Sequence, residues 1–228
     1  MKHLIIGLGQ VGTGVQKVLE CDGHDPNNGV KAEGQYDVLH ICFSYSDSFV
    51  QAVKDYKDVF GAKYVVIHST VPVGTSAKCE AVHSPIRGVH PHLEESIRVF
   101  VKYFGGENAE IMANEFRAKG VNCVCTEKSE TTELMKLVDT TTYGINILIE
   151  KEINRLSEVY DVPFDMVYHH ANETYNEGYL DMGMPQFHKY NIKHMPGKIG
   201  GHCILPNVEL FDSWIADLVK EKNELYGE

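Results

Sequence analysis

Through the first half of the chain, short apolar runs alternate with stretches whose apolar residues recur at helical spacing. Leu4-Ile5-Ile6, Val38 to Tyr45 (VLHICFSY) and Lys63 to Thr70 (KYVVIHST) read as strands buried on both faces. Ile97 to Phe104 (IRVFVKYF) and Val121 to Thr126 read as two more. Between them lie three helical stretches, Thr13 to Glu20, Ser46 to Phe60 and Glu107 to Lys119. In the second, Phe49, Val50, Val53 and Val59 are apolar and Ser46 or Asp47 is the expected cap. Glu94 and Glu95 fit a solvated helix turn. Strands that alternate with helices predict an α/β chain with a doubly wound parallel sheet.

The rhythm changes at Ser129. From there to Asp161 the sequence has no proline and a single glycine. Apolar residues at 134, 137, 138, 145, 148, 149, 153, 156 and 159 keep helical spacing over about nine turns. Ser129, with Thr132 and Glu133 behind it, supplies the N-terminal signal, and Pro163 marks the stop. Helical stretches follow at Pro163 to Tyr179 and Pro206 to Tyr226, joined by a Gly-, Pro- and Met-rich connection. The expected organisation is a sheet domain over 1–128 and an all-helical domain over 129–228.

One stretch organises the first domain. The run Leu4-Ile5-Ile6 turns through Gly7-Leu8-Gly9-Gln10-Val11-Gly12 into the first helix. A strand, a glycine turn and a helix N-terminus form an anion site suited to the pyrophosphate of a dinucleotide. Gly7 permits the tight turn, Gly9 a close backbone approach, and Gly12 close helix–strand packing. This gives the sheet its Rossmann-like character and predicts NAD or NADP as cofactor. A Rossmann unit places a ribose-binding acid at the end of its second strand, about 20 residues past the glycines. Here CDGHDPNN (Cys21 to Asn28) contains no strand-like run, so the second strand is expected to be short or missing. Asp25 is the first candidate for the acid and Asp22 the second; Asp25-Pro26-Asn27 reads equally well as a simple turn.

Composition narrows the partners. The 228 residues carry a formal net charge of −11, which argues against nucleic acid and an anionic membrane surface and leaves a small-molecule substrate. No secretory signal pattern or membrane-length apolar run is present. Six cysteines lie scattered with no CxxC pair, which predicts reduced thiols and a cytoplasmic setting. The twelve histidines show no structural-zinc spacing, so no metal is expected and most should be surface or hydrogen-bonded groups.

Three further segments carry a resemblance. They are His68-Ser69-Thr70-Val71-Pro72-Val73-Gly74-Thr75, Glu133-Leu134-Met135-Lys136-Leu137 and Gly200-Gly201-His202-Cys203-Ile204. With the glycine turn, their order and spacing resemble the UDP-glucose/GDP-mannose dehydrogenase family, within the 6-phosphogluconate dehydrogenase-like group. The resemblance implies NAD(P)-dependent oxidation of an alcohol on a sugar or nucleotide sugar. Thr70 would sit beside the nicotinamide, Lys136 would stabilise a developing oxyanion, and Cys203 would add to an aldehyde as thiolate. Cofactor candidates are therefore Gly7, Leu8, Gly9, Gln10, Val11, Gly12, Asp25, Ser44, Thr70 and Pro72, and catalytic candidates Cys203, Lys136 and Thr140. On a helical wheel, Lys136, Thr140 and Tyr143 share a face opposite an expected Leu134/Leu137/Val138 seam. The long helix, with Met135 and Ile147 apolar off that seam, is expected to pair with its copy in a homodimer.

The chain also departs from the pattern. Ser84-Pro85-Ile86-Arg87 puts Ile86 where the family has an acid, and Thr140 stands where an asparagine is expected. The family's third, nucleotide-binding domain has no counterpart in this sequence. Two other functions stay open: a catalytically inactive dinucleotide-binding sensor or interaction protein, and a small-substrate dehydrogenase of the β-hydroxyacid type.

Overall fold

The computed structural model describes residues 1–200 and 204–227. The chain divides into two compact units, Met1–Leu137 and Val138–Glu228. The first is a seven-stranded sheet with helices on both faces. Its strands are β1 (His3–Ile6), β2 (Asp22–His24), β3 (Val38–Ile41), β4 (Tyr64–Ile67), β5 (Val82–His83), β6 (Lys102–Gly105) and β7 (Cys123–Thr126). Their order across the sheet is β2-β1-β3-β4-β5-β6-β7. All neighbours are parallel except β5 and β6.

Both faces of the central strands are buried, which is why those strands read as continuous apolar runs. On one face Ile5, Val38, Val66, Val82 and Phe104 pack with Val15, Val18, Met112 and Phe116. These come from α1 (Gln10–Leu19) and α5 (Ala109–Arg117). On the other face Leu4, Ile6, Leu39, Ile41, Val65 and Ile67 pack with Phe49, Val53 and Phe60 of α2 (Phe49–Phe60). A four-residue helix, α3 (Thr75–Lys78), follows β4.

The structure revises several sequence readings. One reading holds: the second strand, expected to be short or missing, is present and short, with three residues. The α2 helix starts at Phe49 with Ser48 as N-cap, not Ser46 or Asp47, and no side chain makes the capping bond. The predicted strand Ile97 to Phe104 splits into the end of α4 (Leu93–Val99) and the start of β6. Leu93 and Ile97, four apart, are buried while Val99, Phe100 and Val101 are exposed, so helical burial wins over the local β-propensity. Glu94 and Glu95 fall in the first turn of α4, as expected. The two-residue strand β5 was not foreseen, because two residues carry no period.

The second unit is helical. The long helix α6 spans Ser129–Val159, so its first turns belong to the sheet unit. A π-helical turn (Asp165–His170) leads into α7 (Ala171–Asp181). Two helices, α8 (Ile204–Val208) and α9 (Trp214–Asn223), follow; Ser213 caps α9 by accepting a bond from Ile215 N–H. The core of this unit is Ile147, Leu148, Ile192, Ile199, Val208 and Val219. Residues 194–199 are held by polar anchors. His194 bonds Glu150 at 2.6 Å, Lys151 donates to the carbonyls of Met195 and Gly197, and Asn223 accepts from Ile199 N–H. No helix among the described residues is long and apolar enough to cross a membrane.

Candidate functional site

The glycine turn lies where β1 meets α1. Gly7 has φ +90°, a left-handed value that favours glycine. A Cβ on Gly12 would lie 1.8 Å from the Gly7 carbonyl oxygen, so only glycine lets the helix approach the strand here. A Cβ on Gly9 would meet nothing within 4 Å, so the space beside this residue is open. The first amides of α1 have no intrahelical partner and form the positive end of its dipole. An open pocket of about 380 Å³ lies alongside, lined by Leu8, Gly9, Gln10, Thr13 and Lys17 of this segment and by Pro91, Leu93 and Glu94.

Asp25 follows β2 directly, so the short strand still delivers an acid to the edge of the turn. The side chain is 8% exposed. Its Oδ2 accepts from the Leu8 backbone N–H at 2.8 Å and from Asn28 Nδ2 at 2.9 Å. Leu8 therefore has its amide engaged inside the protein. Asp22, the second candidate, accepts a hydrogen bond from the Tyr36 hydroxyl. Ser44 is exposed in the loop after β3.

The segment after β4 is fixed to the start of α6. Glu133 is fully buried, and its two carboxylate oxygens accept from the backbone N–H of Gly74 (2.6 Å) and Ser76 (2.7 Å). Thr75 Oγ1 donates to the Pro72 carbonyl. His83, also fully buried, joins the same two segments. Its Nε2 is 3.2 Å from the Ser69 carbonyl and its Nδ1 is 2.9 Å from Thr132 Oγ1. Nε2 must donate to that carbonyl, so Nδ1 accepts from the threonine. Thr70 and Pro72, half-buried, lie in the loop so clamped.

Lys136 stands one turn beyond Thr132 and Glu133 and is half-buried. Burial, joined by the charges of Lys102 and Lys136, pushes the His83 imidazole down to about 3, against the raising effect of the Ser69 bond. The histidine is therefore a neutral, oriented group beside the start of α6.

The expected seam of the long helix is rotated. Leu137 is fully buried, but Leu134 and Val138 are 43% and 44% exposed. The buried line runs through Glu133, Leu137, Thr140, Thr141, Gly144, Ile147 and Leu148. Buried hydrogen-bonding groups, Glu133 above all, take the inward face that apolar periodicity alone assigned to leucine and valine. Thr140 lies in the second unit, 3.3 Å from Asn207 Nδ2, while Tyr143 is exposed. Ile86 packs in the sheet core at 7% exposure, so no acid acts from that position. Cys203, with Gly201 and His202, lies outside the described residues.

Sequence reasoning missed Glu133 as a clamp and His83 as a bridge. It also missed a buried row of His3, His40, His68 and Lys102. The available signal was polar residues inside strands buried on both faces, where a charge needs a partner.

No family model matches the sequence, and no curated protein matches it. Solved structures do match in fold. The UDP-D-ManNAc dehydrogenase of Pyrococcus horikoshii superposes with a TM-score of 0.73 at 19% identity, over 98% of this chain and 68% of that one. A UDP-glucose dehydrogenase from Pyrobaculum islandicum gives 0.66 at 16% identity, over 99% and 68%. The 3-hydroxyisobutyrate dehydrogenase of Mycobacterium tuberculosis gives 0.69 at 13% identity, over 99% and 93%. The chain thus has the fold shared by these enzymes, a Rossmann-like sheet followed by a helical region with one long helix.

Proposed function

We propose that this chain is an NAD(P)-dependent oxidoreductase that takes hydride from an alcohol, with a sugar or nucleotide sugar as the substrate class. The observation that carries the reading is the Glu133 clamp. It ties the loop holding Thr70 to the helix start holding Lys136, at the carboxyl edge of the sheet where open α/β folds bind ligands. The glycine turn lies at that same edge. The nicotinamide cofactor would supply the hydride acceptor. Gln10, Val11 and Gly12 would hold its pyrophosphate through their amides, and Asp25 would face its ribose. Lys136 would stabilise the alkoxide oxygen, with Thr140 and Cys203 assisting. The fold of dehydrogenase structures supports this reading. In this proposal residues 1–128 serve the cofactor, and 129–228 serve substrate and self-association in a cytoplasmic homodimer.

Two observations favour other readings. The match to 3-hydroxyisobutyrate dehydrogenase spans 93% of that chain, which favours a small β-hydroxyacid-type substrate. Ile86 in the core favours a binding protein without turnover.

Calorimetric titration with NADH and NADPH tests the cofactor. Wild type should bind one of them at micromolar concentration. Gly9→Val, which places a side chain in open space without a clash in the fold, should weaken binding at least tenfold with an unchanged melting temperature. Equal binding by Gly9→Val would place the cofactor elsewhere. Hydride transfer from UDP-glucose or 3-hydroxyisobutyrate, followed at the reduced nicotinamide, then separates the enzyme readings. Binding with no turnover on either class favours the sensor.

A further inference from the structure

Three histidines stand in a line across the sheet. His3 opens β1, and the register Ile5↔His40 places His40 two residues higher on β3. His40 pairs with Val66 on β4, which places His68 two residues higher again, just past the strand end. Steps of two keep all three on one face of the sheet, with His40 and His68 against the Phe116 ring of α5.

Their nitrogens meet in sequence. His3 Nδ1 is 2.9 Å from His40 Nε2, and His40 Nδ1 is 3.0 Å from His68 Nε2. In the second pair the ring centroids are 5.2 Å apart and the planes differ by 7°. The facing nitrogens therefore lie between the centroids, as an in-plane hydrogen bond requires. Both ends continue. His3 Nε2 is 2.8 Å from Glu115 Oε2 on α5, and the amino terminus is 3.6 Å from the same oxygen. His68 Nδ1 is 2.7 Å from the Ser84 carbonyl and 3.3 Å from Lys102 Nζ, which itself donates to Ser84 O at 3.1 Å.

We propose that His3, His40 and His68 form a proton wire that joins the Glu115 carboxylate at one edge of the sheet to the Lys102 amine at the other. A neutral imidazole has one donor and one acceptor nitrogen, so the bonds in the row must all point the same way. With one excess proton the row has two self-consistent states. In the first, His3 is the imidazolium. It donates from Nε2 to Glu115 and from Nδ1 to His40 Nε2; His40 Nδ1–H donates to His68 Nε2; His68 Nδ1–H donates to Ser84 O; and Lys102 is a neutral amine. The 2.7 Å contact of His68 Nδ1 with Ser84 O is the bond of this first state; in the second, the three histidines are neutral with their protons on Nε2, Lys102 is the ammonium and donates to His68 Nδ1 and to Ser84 O, and those two acceptors move apart. Three one-bond hops convert the first into the second: His68 Nδ1–H to Lys102 Nζ, His40 Nδ1–H to His68 Nε2, and His3 Nδ1–H to His40 Nε2. No proton is gained or lost, and one positive charge crosses the sheet.

The surroundings set the ends of the row apart from its middle. Lys102 is 4% exposed, and the titratable groups facing it are His68, His40, His83, Cys42 and Cys123. Burial pushes its amine down to about 7. Burial also holds His40 and His68 well below the ordinary imidazole range, so neither keeps a charge and both can only pass one on. At the other end His3 is buried and Glu115, 28% exposed, is the group that reaches solvent. The wire needs no cofactor and stands whether or not the chain is a dehydrogenase.

Long-range proton–nitrogen NMR on protein labelled at histidine tests the wire. At pH 9 all three histidines should carry the proton on Nε2. As the pH falls to 6 all three should shift toward the Nδ1–H form with one shared midpoint. Glu115→Gln, which alters only the far end, should move that midpoint at His68 as much as at His3. His40→Phe should abolish the shared midpoint, so that the His68 tautomer no longer follows His3. Opposed tautomers in the wild type at either pH would overturn the proposal without any variant. So would a Glu115→Gln effect confined to His3, or a midpoint still shared in His40→Phe.

Discussion

At the scale of single residues, the sheet unit contains bases that burial keeps neutral. His40 and His68 are held well below the imidazole range, and His83 is pushed down to about 3. Below the ordinary histidine value of 6.5 the unfolded chain binds protons that the folded chain refuses, so stability falls as the pH drops. Lys102 obeys the same sign in a higher window. Its folded value is about 7 against 10.5 when unfolded, so stability should rise as the pH climbs from about 7. The thiols oppose this from about 9 upward, because burial raises Cys79 and the unfolded chain then loses protons first. Urea unfolding at pH 7 and 8.5 isolates the lysine. The wild type should gain stability between them, and Lys102→Met should be more stable at pH 7 and flat across the interval. A variant that keeps the wild-type slope would assign the effect to another group.

At the scale of elements, the Glu133 clamp turns two separate motifs into one site. A buried carboxylate on two backbone N–H groups makes charge-assisted bonds, each contributing roughly 1.5–3 kcal/mol. Glu133→Gln keeps the shape but turns an amide NH₂ toward one of those donors. It should cost roughly 2–3 kcal/mol in urea unfolding and speed hydrogen exchange at the Gly74 and Ser76 amides. Unchanged exchange at both would show that the loop holds itself. The clamp also shows where legibility ends. The strands, the glycine turn and the long helix could be read because each has a period or a local backbone rule; Gly7 and Gly12 behave as those rules demand. The inward face of α6 could not, because Glu133 and Thr132 are buried by partners far away in sequence. The three-residue β2, the two-residue β5 and the row of histidines depend in the same way on neighbours that only the folded sheet supplies.

At the scale of the molecule, the exposed apolar surface asks for a second copy. Leu134, Val138, Ile149, Leu156 and Val159 on α6 are each at least 38% exposed. Their spacing places them on a single stripe of one helix. In the second unit α7 has no buried residue, and Met166, Val167, Leu180 and Met182 are exposed around it. A stripe this long on a continuous helix is self-complementary under a two-fold axis, the commonest symmetry of soluble oligomers. Charge works against pairing, since each copy carries a formal −11, while burial of the stripe works for it. Raising salt screens the repulsion and leaves the apolar term intact, so the dimer should tighten from low to moderate ionic strength. Light scattering at micromolar concentration should give twice the chain mass of 25.6 kDa. Val138→Glu combined with Ile149→Glu puts charges on the stripe at positions already exposed in the single chain. It should return the mass to that of one chain while leaving the helical circular dichroism unchanged. A wild type that stays at one chain mass, or a double variant that still pairs, would move the interface off this helix.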